Sequence, residues 1–149
     1  MDKYFEIKNY DDIYRAVGEI IKHSQEWEDL FKKLAILLNV SVKNVNNSSL
    51  NKLNEALKKE ECISKKEFKL LKKVIKKRNY INHTFFLDVS LYNSDSTNDQ
   101  YYVIWDFSKI EILLNDIVYN IFEASDFIAN KIDIIEKRDC LRPTEFDFL

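Results

Sequence analysis

An all-α fold, a bundle of four to five helices with two long ones antiparallel, is what this chain predicts, and three observations predict it. The 149 residues include one glycine and one proline, too few for the tight hairpins on which sheets are built. Apolar residues recur at intervals of three and four along several stretches, the spacing that places them on one face of a helix. Two of these stretches open with serine followed three residues later by glutamate, Ser64/Glu67 and Ser108/Glu111, the pattern of a capping box.

The first helix is expected from Tyr10 to Val40, where Ile13, Val17, Ile20, Trp27, Phe31, Leu34 and Leu38 keep the rhythm and Asn9 or Asp11 can cap it. An Asn-rich connection, Ser41–Asn47, leads to a shorter helix from Ser49 to Lys59 with Leu50, Leu53 and Leu57 on one side. The third helix opens at Ser64 and reaches to around Phe86; the fourth opens at Ser108 and runs through Ile110, Leu114, Ile117, Ile121, Ile128 and Ile135 to near Arg138. Between them a long loop spans residues 88–106, polar at its centre (Asn93–Asp99). Its flanks, Leu87–Tyr92 and Gln100–Trp105, have the aromatic and β-branched composition to pair as a small hairpin. Pro143 ends regular structure and leaves a tail, residues 143–149. One domain is expected over 1–149, with its core in residues 10–138.

Composition narrows the class. Hydrophobic content of 46% with 32% charged residues describes a globular protein rather than a disordered one. No apolar run reaches membrane-spanning length, and Met1–Glu6 has no signal-peptide core, so a cytoplasmic protein is expected. Cys62 and Cys140 are far apart in sequence, and no Cys/His cluster has metal-ligand spacing. Free thiols, no metal and no cofactor are the expectation. The net charge of −2 conceals an asymmetry: residues 64–83 carry eight Lys/Arg against one Glu, leaving 15 basic and 24 acidic residues elsewhere. A mainly acidic protein with one basic helix can hold an anion locally.

That basic helix, read at 100° per residue, places Phe68, Leu71, Val74, Ile75, Ile81 and Phe85 in one apolar sector. Arg78 points into the middle of it. The lysines at 65, 66, 69, 72, 73, 76 and 77 take the opposite side, with His83 among them. A guanidinium in an apolar stripe is costly unless it is paired or lines a cleft, so Arg78 either serves a site or forms a structural ion pair with an acid on the first or fourth helix. Arginine forks onto phosphate oxygens, and histidine exchanges protons near neutral pH. Arg78 and His83 therefore supply the means to cut a phosphodiester without metal, and Asn79, four residues before His83, shares its face. Lys72, Lys73, Lys76 and Lys77 are the candidates to hold flanking phosphates. The second histidine, His23, sits beside the core stripe of the first helix near Glu19 and Glu26 and reads as structural; Trp27 and Trp105 read as packing residues.

The run Arg78-Asn79-x-x-x-His83 followed by Phe85-Phe86, near the end of a long helix with another long helix beyond a loop, resembles the HEPN superfamily (higher eukaryotes and prokaryotes nucleotide-binding). The four-helix pattern extends the likeness over residues 10–138, and the R-N-x-x-x-H core is its specific part. The resemblance implies a metal-independent endoribonuclease of toxin–antitoxin, abortive-infection or other defence systems, working as a homodimer that unites two copies of the motif. It implies Arg78 and His83 as the catalytic pair, Asn79 as the polar residue after the arginine, RNA as substrate and a cognate antitoxin as a further partner. In one HEPN subgroup a tyrosine two residues after the histidine is nucleotidylated; here that position is Phe85, so this control is absent. The other readings of the chain are a non-catalytic HEPN-like assembly subunit and a generic helical adaptor.

Overall fold

The computed structural model describes residues 3–88 and 106–141, and among these there is no strand. Four α-helices follow in order: α1 (Tyr10–Leu37), α2 (Leu50–Lys59), α3 (Lys65–His83) and α4 (Phe107–Leu141), with a 3₁₀ turn at Val45–Asn47 before α2. The all-α bundle follows from the three-four rhythm. Ile13, Val17, Ile20, Trp27, Phe31 and Leu34 of α1 are buried, and they meet Leu53 and Leu57 of α2, Leu71, Val74 and Ile75 of α3, and Leu114, Ile117, Ile121 and Ile128 of α4 in one core.

Side-chain pairs along the helices give their directions. Tyr10 meets Phe107, His23 meets Phe122 and Lys33 meets Glu136, so the two longest helices, α1 and α4, run parallel. Helix α3 is antiparallel to both: Tyr14 stacks on Phe86 while Glu28 pairs with Arg78, and Lys77 and Glu67 pair with Asp116 and Lys131. The long antiparallel pair is thus α3 against α4.

Helix α1 stops at Leu37 rather than Val40, because Asn39 turns to φ 53° and the Val40 N–H reaches back to the Ala35 carbonyl at 3.2 Å. This is a Schellman ending. Helix α2 ends the same way at Glu61, φ 59°, with the Cys62 N–H on the Leu57 carbonyl at 2.8 Å. Both left-handed positions are filled without glycine, although they are the places where glycine is least costly. The one glycine, Gly18, lies instead in mid-α1, exposed.

The capping box at Ser64 forms as its sequence predicts: Glu67 N–H donates to Ser64 Oγ at 3.1 Å and Ser64 N–H to Glu67 Oε1 at 2.8 Å. The second one does not. Helix α4 starts one residue before Ser108, capped by Asp106, whose Oδ1 accepts the Lys109 N–H at 2.8 Å. Asp is as good an N-cap as Ser, and the earlier start brings the Phe107 ring onto Tyr10 at 5.3 Å. Glu111, freed from capping, accepts the Ile7 N–H at 2.8 Å and pairs with Lys3 at 2.7 Å. With Asn115, which accepts the N–H groups of Tyr4 and Phe5 and donates to the Phe5 carbonyl, it straps the N-terminal segment to α4. Phe5 and Ile7 are buried beneath that strap, so the core begins before residue 10.

Helix α3 ends at His83, and a helical turn at 85–88 follows a break at Thr84. Leu87 and Asp88 are therefore helical rather than the start of a hairpin strand. The rest of the expected hairpin, with Trp105, and the tail after Pro143 lie outside the described residues.

Two opposite substitutions test this account of the backbone. A Cβ at Gly18 meets nothing within 4 Å, so Gly18→Ala should stabilise the protein by about 1 kcal/mol through helix propensity. Glu61→Gly should also stabilise it, by roughly 0.5–1 kcal/mol, by relieving the left-handed backbone. Urea unfolding measures both; a loss of stability in either variant contradicts the corresponding assignment.

Candidate functional site

The lysine-rich helix is placed so that its apolar stripe is covered and its basic side is open. Leu71, Val74, Ile75 and Ile81 are buried, whereas Lys65, Lys66, Lys69, Lys72, Lys73 and Lys76 are exposed. Arg78 follows the stripe inward, as the helical wheel predicts. Its side chain is 21% exposed and donates from Nη2 to Glu28 Oε2 on α1 at 2.7 Å and from Nη1 to Asn79 Oδ1 at 2.9 Å. Arg78 Nε is buried with no hydrogen-bond partner among the described residues, a deficit that costs about 1–3 kcal/mol.

Glu28 has a second cation. Lys32, one turn further along α1, approaches Oε1 at 3.2 Å and donates to the Asn46 carbonyl at 2.8 Å. One carboxylate thus stands between two cations, all three side chains four-fifths buried or nearly so. The cluster keeps one net positive charge, in surroundings less polarisable than water where charge counts for more. Asn79 spends its carbonyl oxygen on Arg78, which leaves its NH2 to donate elsewhere.

His83 is the last residue of α3 and is exposed. The chain turns sharply after it. Thr84 N–H closes on the Tyr80 carbonyl at 2.9 Å, and the Tyr80 hydroxyl donates to Asp88 Oδ2 at 2.7 Å. Burial, reinforced by that carboxylate, pushes the Tyr80 hydroxyl far above its ordinary range, so it remains a donor. Phe85 is fully buried, and Phe86 stacks on Tyr14 at 5.4 Å. The position two residues after the histidine is core, with neither a hydroxyl nor access to solvent.

The structure brings Arg78 and Asn79 together but does not bring His83 to them. Helix α3 is unbroken from Lys65 to His83, and five residues at the helical step separate Arg78 from His83 by about 140°. Of the candidate phosphate ligands, Lys72, Lys73 and Lys76 are exposed, while Lys77 is half-buried and already paired with Asp116. His23 is half-buried, with its ring edge-on to Phe122 at 4.8 Å, Nε2 3.4 Å from the Tyr4 hydroxyl and Nδ1 3.6 Å from Glu26, a packing environment. Trp27 is buried in the core. Cys62 is a free, half-buried thiol whose pKa is raised by burial and then by Glu60.

Lys32 was not legible as a site residue in the sequence. The signal that could have found it is the Glu28/Lys32 spacing of four on α1, which places both on one face; only the docking of α3 shows that this face meets Arg78. Compared with protein-family models, curated proteins and solved structures, the chain matches none.

The Glu28–Arg78 link can be measured apart from any activity. Arg78→Ala should destabilise the protein by about 2 kcal/mol, since hydrogen bonds to charged groups are worth roughly 1.5–3 kcal/mol. Glu28→Gln, which keeps an acceptor in place, should cost less. A double-mutant cycle in urea should return a coupling of about 1–2 kcal/mol; additive losses show that the pair does not hold α1 to α3.

Proposed function

We propose that this chain is a metal-independent endoribonuclease of HEPN type, a toxin or phage-defence effector whose site is completed by a second copy of the chain. The observation that carries the proposal is the positively charged cluster that Glu28 and Lys32 of α1 form with Arg78 and Asn79 of α3, the helix that ends in the exposed His83. Glu28 sets the guanidinium in a fixed orientation, and preorganised donors are what stabilise charge that grows in a transition state.

RNA carries its own nucleophile, the 2′-hydroxyl. A neutral imidazole takes its proton as the oxygen attacks the neighbouring phosphorus. The bond to the 5′-oxygen breaks, and an imidazolium returns a proton to that leaving group. Imidazole ordinarily titrates at about pH 6.5, so both forms are on hand near neutrality. The two His83 side chains of a dimer divide these roles, and Arg78 stabilises the non-bridging oxygens, worth roughly 3–4 kcal/mol for one well-placed donor. The products are a 2′,3′-cyclic phosphate and a 5′-hydroxyl. The dimer is supported by the apolar surface beside His83, where Tyr14 and Leu87 are exposed and Phe86 is half-buried. A two-fold axis there repeats each motif across the interface. A cognate antitoxin and a cytoplasmic setting belong to the same proposal. No helix among the described residues is long and apolar enough to cross a membrane.

A specific observation favours a second reading. Within one chain Arg78 already has its carboxylate, on α1, and His83 points elsewhere. An ion pair that clamps α3 to α1 needs no substrate, and it suits a non-catalytic assembly module or a helical adaptor.

Purified protein incubated with single-stranded RNA in EDTA separates the two. Cleavage of RNA, with DNA left intact, is the expected outcome. His83→Ala and Arg78→Ala should each abolish it, and His23→Ala should retain it, with folding of each variant checked by circular dichroism. Sedimentation should show a dimer at micromolar concentration. A folded His83→Ala protein that cuts RNA as well as the parent removes the mechanism and leaves the assembly module.

A further inference from the structure

The basic side of α3 is ordered more strictly than its composition requires. Lys65, Lys69, Lys72 and Lys76 follow one another at spacings of four, three and four, and the same alternation continues through Asn79 to His83. At the helical step these six residues stay within about 40° of a line parallel to the axis, and His83 returns to the bearing of Lys65. Lys66, Lys73 and Lys77 fall about 80–120° to one side. All four lysines of the row are exposed, as is His83.

The row is also uncompensated. Several lysines elsewhere meet carboxylates: Lys3 on Glu111, Lys33 on Glu136, Lys131 on Glu67 and Lys137 on Asp133. Others unpaired among the described residues, such as Lys22, Lys43 and Lys52, are scattered rather than aligned. Among the described residues no carboxylate pairs with Lys65, Lys69, Lys72 or Lys76. The one acid on α3, Glu67, faces away and is held by the Ser64 N–H and Lys131. Like charges three and four residues apart on a helix repel, so the row sustains a repulsion that a linear polyanion relieves. A membrane surface fits less well. A helix that lies in a bilayer interface needs apolar side chains flanking its cations, and none of the exposed large apolar residues among the described residues lies within α3.

We infer that Lys65, Lys69, Lys72 and Lys76 are a track that holds one strand of RNA lengthwise along α3 and leads it to His83. The inference rests on the ribonuclease reading for the identity of the strand. The track rises about 16 Å from Lys65 to Lys76 and about 27 Å to His83. At about 3.4 Å per stacked nucleotide, the lysines cover roughly five phosphates, and the scissile bond lies roughly eight nucleotides from the far end. A duplex, whose strands wind away from a straight row, engages fewer of the four.

The test measures binding apart from cleavage, in the His83→Ala full chain, with a fluorescein-labelled single-stranded 12-nucleotide oligouridylate followed by anisotropy. With four phosphates engaged, Kd should rise about fifty-fold between 50 and 200 mM salt, at about 0.7 per phosphate in the log–log slope. The row variant, Lys65→Gln with Lys72→Gln and Lys76→Gln, should show a rise of only about threefold. The off-row variant, Lys59→Gln with Lys66→Gln, both exposed and outside the row, should keep the parental slope, and melting curves should show both variants folded. A row variant with the parental slope, or equal losses in both variants, overturns the track. So does row-dependent binding that appears only with an RNA duplex or with phosphatidylserine vesicles. Protein with intact His83 that shows the expected slopes but cuts no RNA overturns the ribonuclease reading alone, whereas RNA cutting with the salt slope unmoved in the row variant overturns the track alone.

Discussion

A guanidinium in the apolar stripe of α3 is the constraint around which the candidate site is organised. Arg78 falls between Ile75 and Ile81, both buried, and a charge in that position needs a carboxylate. Glu28 supplies it from α1, which ties the facing surfaces of two helices to one register. Lys32 then follows, because it lies one helical turn from Glu28 and shares its face. The four-residue cluster is therefore a consequence of one buried cation, whether or not a phosphate ever meets it.

The same helix explains the distribution of charge. With seven lysines outside its apolar stripe, α3 can be covered on one side only. It lies antiparallel to α1 and α4 with its basic side outward, and the acids of the chain are spread over the other elements. The charge asymmetry seen in composition becomes a spatial one: a positive ridge on a mainly negative protein. Such a ridge steers anions toward the helix without general affinity for nucleic acid over the whole surface.

Local chemistry and tertiary demand compete at the ends of the helices. Ser64 caps α3 because nothing else claims Glu67 except Lys131, which the capping geometry tolerates. Ser108 carries the same pattern, yet Glu111 is more valuable to the fold as an acceptor for the N-terminal strap, and Asp106 takes over the cap. The strap itself has no helical periodicity to betray it. Phe5 and Ile7 alternate as in a strand, but their partners are the side chains of Asn115 and Glu111 rather than another backbone.

From residues alone came the helical class, the approximate extents of the four helices, the inward direction of Arg78 and the outward row of lysines. Each depends on periodicity along a single element, which is a local property of the sequence. Even the choice facing Arg78, a cleft or an acid on the first or fourth helix, could be stated from the wheel and the cost of a buried charge. Which acid, and that Lys32 would join it, depended on the register of α1 against α3, and register is decided by how all the buried apolar side chains of the core pack at once. The parallel course of α1 and α4 and the reassignment of Glu111 are of the same kind. They are contacts between residues about a hundred positions apart in the chain, and no single segment contains the information that pairs them.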